Sequence, residues 1–190
     1  MTADILTAQN WGALTLVLLA FALACSLAAW ASAGRRIWVP AALVLVAAAA
    51  AVAAAPERVA VEGNAAATLL MALGGAVAVA GGGPATALVF DLVDRREPPT
   101  ESLDRAGHVL RGGAWIGALE RLATFATLVA GWPEGLAVVL ALKGLGRYPE
   151  LRAAEDGVRT GAAERFIIGT FTSVLWACAA AGVVALVSTT

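Results

Sequence analysis

Six ionisable residues are the chemistry-bearing feature of this chain: Glu120, Arg121, Lys143 and Arg147 sit inside otherwise apolar runs, and Glu164-Arg165 opens another. A charge at the centre of a membrane helix costs roughly 2.5–3.5 kcal/mol on insertion-based scales, so it persists with a partner or a purpose. The two runs holding the first four residues are separated by Gly131-Trp132-Pro133-Glu134, which reads as a tight turn with proline placed to start a helix. Glu120 precedes Trp132 by twelve residues, and Lys143 and Arg147 follow it by eleven and fifteen. In an antiparallel helical hairpin Glu120 and Lys143 then share one depth. Arg147 lies one turn further along the Lys143 face.

With Glu164 and Arg165 on the same side, these spacings predict one charged layer: Glu120 and Glu164 against Arg121, Lys143, Arg147 and Arg165. The excess of bases suits an anion or anionic lipid headgroup. A mutually neutralised network that staples three helices together accounts for the same residues.

Composition sets the solvent of the elements that carry them. The chain is 60% hydrophobic and 14% charged over 190 residues, with mean hydropathy +0.81, where soluble domains are about 25% charged. The expected fold class is therefore all-α: an integral membrane helical bundle of about six transmembrane helices in contact with the lipid bilayer. The spans are predicted at 11–33, 37–55, 64–93, 113–131, 134–148 and 166–187. They group as a three-helix membrane region over 1–93, a cytoplasmic loop over 94–111 and a three-helix module with the charged hairpin over 112–190. Asp4 precedes the first apolar run and no basic residue occurs before Arg35, so the first span reads as a retained helix rather than a cleaved signal. Gly81-Gly82-Gly83-Pro84 predicts a kink or break in the third span, a feature that builds ion or substrate sites in some transporters.

Orientation follows from the positive residues. Arg35, Arg36, Arg95, Arg96, Arg105, Arg111, Arg147, Arg152, Arg159 and Arg165 fall on the side of the odd loops, and Arg58 alone on the other. By the positive-inside rule the odd loops are cytoplasmic and both termini face outward. Trp30, Trp38 and Trp115 near the inner boundary, with Trp11 and Trp132 near the outer one, match the interfacial preference of indole rings; Trp176 lies deep in a span. The expected address is the bacterial cytoplasmic (inner) membrane, as a multi-pass protein.

Three stretches carry a resemblance: Arg111-Gly-Gly-Ala-Trp-Ile-Gly-Ala-Leu-Glu120-Arg121-Leu122, Ala-Leu-Lys143-Gly-Leu-Gly-Arg147-Tyr-Pro-Glu-Leu, and Ala-Glu164-Arg-Phe-Ile-Ile-Gly-Thr170. Over about residues 110–180 the chain resembles a family of uncharacterised polytopic membrane proteins (a domain of unknown function) from actinobacteria. That resemblance implies a membrane-embedded module containing Glu120, Arg121, Lys143, Arg147 and Glu164. It transfers no activity.

Other chemistry is thinly represented. Cys25 and Cys178 each stand in apolar runs, His108 has no partner nearby in sequence, and no spacing for a metal site, P-loop, nucleophile elbow or zincin occurs. Asp91 and Asp94 are spaced like part of a metal-dependent headgroup transferase, but the rest of that pattern is missing. No cofactor, metal or nucleic acid is expected, and an enzyme is the less favoured reading. The expected role is an accessory or scaffold subunit of a membrane complex, binding a protein partner or a second copy. The alternatives are a small transporter or channel subunit with a cytoplasmic-side anion or headgroup site, and a membrane-embedded enzyme. The pairs Gly113/Gly117 and Gly169/Ser173, four apart, predict close helix approach.

Overall fold

A computed structural model of the chain describes residues 2–54, 63–96, 113–153 and 156–188, which are helical apart from short turns and contain no strand. Among the described residues six helices follow in order: α1 (Thr2–Ala28), α2 (Arg35–Ala53), α3 (Asn64–Arg96), α4 (Gly113–Val129), α5 (Glu134–Ala153) and α6 (Asp156–Ser188). A single 3₁₀ turn, Ser32–Gly34, joins α1 to α2 and leaves only an antiparallel hairpin open to them. His108, Arg58, Arg105 and Arg111 lie outside the described residues, as does most of the loop expected over 94–111.

The turn between α4 and α5 shows how local sequence sets the hairpin. Gly131 adopts φ +72°, a left-handed conformation that costs glycine little. Its N–H donates to Leu128 O at 3.1 Å and the Trp132 N–H reaches back to Thr127 O at 2.8 Å, the paired bonds of a Schellman stop. Pro133 then enters where no backbone donor is needed and α5 begins.

Four helical stretches are long and apolar enough to cross a membrane: 10–28, 35–53, 64–94 and 163–187. Of the other two, α4 has 17 residues, about 25 Å of helix, and α5 carries Glu134, Lys143, Arg147, Glu150 and Arg152. The helices exceed their expected bounds where polar residues extend an apolar run. α5 continues to Ala153 and α6 starts at Asp156, ten residues before its apolar part.

Of the kink or break expected in α3, the structure bears on the break. The Gly81–Pro84 segment does not break α3: the helix is continuous from Asn64 to Arg96.

Side chains are distributed as lipid solvation requires. The interior is built from small residues such as Ala22, Ala42, Ala49, Ala78, Ala177 and Ala180, with Val77, Val183 and Val184 between them. Large apolar groups face outward, among them Phe21, Phe171, Leu175, Leu145 and Trp115, the last 80% exposed. Where tails are as apolar as leucine, helices gain by close contact, and small residues at the interfaces permit it. α3 and α6 form the most extensive interhelical contact, antiparallel, and both also touch α4 and α2. The 1–93 and 112–190 regions therefore share one core.

Candidate functional site

Pro84 has no N–H, so the Ala80 carbonyl one turn earlier in α3 loses its helical donor. The indole Nε1 of Trp30, just past α1, donates to that oxygen at 3.0 Å. Two more side chains use the same segment: Arg121 Nε donates to Val79 O at 3.0 Å, and Trp176 Nε1 to Val77 O at 2.9 Å. The glycines make room for all three. A Cβ on Gly81 would fall on the Trp176 indole, one on Gly82 on Arg121 Cδ, and one on Gly83 within 3.3 Å of the Trp30 ring. The Gly-Gly-Gly-Pro run is thus a docking strip for α1, α4 and α6, which explains why the helix passes through it unbroken.

Arg121 is the unusual member. It is 6% exposed, with its side chain folded back along α4 over Gly117, whose Cβ would stand 3.1 Å from Nη1. Nη1 also lies 3.4 Å from Ser173 Oγ on α6. Among the described residues no carboxylate pairs with it. Its chain neighbour Glu120 points about 100° round the helix and is committed to Lys143. Because Arg121 and Trp30 dock on the carbonyls of consecutive residues, the guanidinium lies level with the end of α1.

The remaining charges gather elsewhere. Glu120 and Lys143 form a direct ion pair, both side chains largely buried, which joins α4 to α5 at the register the turn dictates. Arg165 Nη2 pairs with Asp94 Oδ1 at 2.6 Å and its guanidinium covers the Phe90 ring at 5.3 Å, joining α6 to α3. Arg35 Nη1 meets Asp91 Oδ2 at 3.3 Å, joining α2 to α3. Arg147 lies against the first turn of α4, its Nη2 3.9 Å from where a Gly113 Cβ would be, and Glu164 is exposed.

The six residues expected in one layer therefore occupy several places. Adjacent residues on a helix cannot share a face, which sends Arg121 inward while Glu120 meets α5. Arg165 is drawn to Asp94 because the antiparallel α3–α6 register sets them side by side. Asp91, Asp94, Ser173, Trp30 and Trp176 were not expected to take part. Their signal in the sequence was limited to the missing donor at Pro84 and to the two acids ending α3. Of the small-residue pairs, Gly169 takes the Phe90 ring, whereas Gly113 and Gly117 adjoin arginine side chains.

Among the described residues no group of histidine, cysteine or carboxylate side chains is placed to hold a metal ion, and Cys25 and Cys178 are both free thiols. Comparison with family models, curated proteins and solved structures finds no match to this chain.

Proposed function

We propose that this is a six-pass protein of the bacterial cytoplasmic membrane, with both termini outside, that binds an anion or anionic headgroup at Arg121 as a small transporter or channel subunit. One observation carries the proposal: a buried guanidinium held by a carbonyl and a hydroxyl, with no carboxylate in ion-pair contact among the described residues and the adjacent Glu120 committed to Lys143. Intramembrane arginines face the bundle interior and pair, or they mark a pathway or ligand. The four long apolar helices support the membrane setting. The ten-to-one arginine bias supports the orientation, and it puts Arg121 nearer the cytoplasmic face.

The test is anion binding by purified protein in lipid nanodiscs, compared with Arg121→Gln. Saturable binding lost in the variant supports the proposal; a wild-type protein that binds no anion refutes it. A scaffold role for a membrane complex is favoured by a separate feature: α5 packs chiefly on α4 and turns Leu142 and Leu145 outward. A pull-down from solubilised membranes that returns no stable partner counts against that second reading.

A further inference from the structure

Several helical threonines in this bundle spend their hydroxyls on the preceding turn. Thr15 donates to Trp11 O, Thr68 to Asn64 O, Thr86 to Gly82 O and Thr172 to Ile168 O, all within 3.0 Å. Thr170 does not: its Oγ1 is buried and has no hydrogen-bond partner. Thr170 is three residues before Ser173, on the same face of α6, and Ser173 Oγ is the atom that Arg121 Nη1 approaches. The Arg121 side chain folds back toward the start of α4, and α6 runs parallel to α4 in the bundle, so Thr170 lies on the side to which the guanidinium points.

We infer that Thr170 and Ser173 complete the Arg121 site and suit it to a phosphate-type oxyanion, whether free or carried on a lipid. The inference rests on the anion-binding reading of Arg121 and adds to it a ligand class. Arginine has five N–H donors. Two are committed, to Val79 O and Ser173 Oγ, which leaves three. The hydroxyl protons of Ser173 and Thr170 bring the set to five donors, with no anionic acceptor among them. A carboxylate offers about four lone-pair sites in one plane, whereas a tetrahedral phosphate group spreads its oxygens toward donors on two helices.

Thr124 supplies an internal control. Its Oγ1 is also buried and unpartnered, but it lies one turn beyond Arg121 on α4, on the side the guanidinium leaves. The experiment uses the full chain in phosphatidylcholine nanodiscs, titrated with inorganic phosphate and with acetate. In parallel, native mass spectrometry follows retention of phosphatidic acid from nanodiscs containing it. Phosphate or phosphatidic acid binds more tightly than acetate, and Thr170→Val weakens that binding about tenfold, the loss expected for one hydrogen bond to a charged group. Thr170→Ser restores it and Thr124→Val leaves it unchanged. Saturable inorganic phosphate identifies a solute; phosphatidic acid retained without it identifies a headgroup. If Arg121→Gln abolishes binding while Thr170→Val matches wild type, the inference falls and the Arg121 site stands. Equal losses in Thr170→Val and Thr124→Val also overturn it, since packing then explains both. Binding of neither ligand nor acetate by the wild type overturns the site and the inference together.

Discussion

Replacing Trp30 by phenylalanine removes the donor that serves Ala80 O, together with the Cζ2–Cη2 edge of the indole that meets Gly83, a packing loss common to both backgrounds of the comparison below. Trp30 is 54% exposed, so little buried area is lost and the change reports mainly on the hydrogen bond. Interhelical bonds in membrane proteins average about 0.6 kcal/mol and reach about 1.7, and a carbonyl stranded in a dry interior costs about 1–3 kcal/mol. Trp30→Phe should therefore destabilise by about 1–2 kcal/mol. The decisive comparison is the same substitution in a Pro84→Ala background. There residue 84 regains an N–H, the Ala80 carbonyl is satisfied within α3, and Trp30→Phe should cost only a few tenths of a kcal/mol. The coupling in the double-mutant cycle is then about 1 kcal/mol. Reversible unfolding in mixed detergent micelles, followed by circular dichroism because a tryptophan is being changed, measures all four proteins. A cost of Trp30→Phe equal in both backgrounds would refute the idea that proline and indole are matched at Ala80.

Glu120→Gln should destabilise by about 1–3 kcal/mol by stranding the Lys143 ammonium, with part of the loss recovered in Glu120→Gln/Lys143→Gln; an unfolding midpoint unmoved by the single change contradicts the pairing. Gly82→Ala places a methyl on Arg121 Cδ and should cost more than 1 kcal/mol, whereas Gly146→Ala, in open space, should stabilise α5 by up to about 1 kcal/mol; the two unfolding curves decide it, and equal effects would discount the docking strip. A reporter active only outside the cytoplasm should be active when fused after Thr190, and activity of a cytosol-dependent reporter at that point would reverse the proposed orientation.

Much of the architecture was legible because lipid imposes one dominant rule on a sequence. Backbone polar groups must find partners within the protein, and a helix supplies nearly all of them from its own segment, so apolar runs become helices, and Gly131-Trp132-Pro133 marks its turn by φ and donor requirements alone. Glu120 and Lys143 could be paired from counting, since a tight turn and a rise of about 1.5 Å per residue define depth on both sides of it. Counting failed for Arg121. The direction of its side chain depends on which helices flank α4, and nothing within α4 states that.

The amino-acid sequence alone determined the helical class, the existence of the six described helices and the register of Glu120 with Lys143, because these follow from hydropathy, turn chemistry and helical rise. Only the tertiary structure decided that α3 continues through Gly81–Pro84, that Asp94 rather than Glu164 faces Arg165's guanidinium, and that Arg121 points into the interior beside Ser173. The physical reason is that a freed carbonyl or a buried charge is satisfied by whichever helix packs beside it. In this chain Trp30, just past α1, Arg121 on α4 and Trp176 on α6 lie 42 to 99 residues away in sequence from the carbonyls they serve.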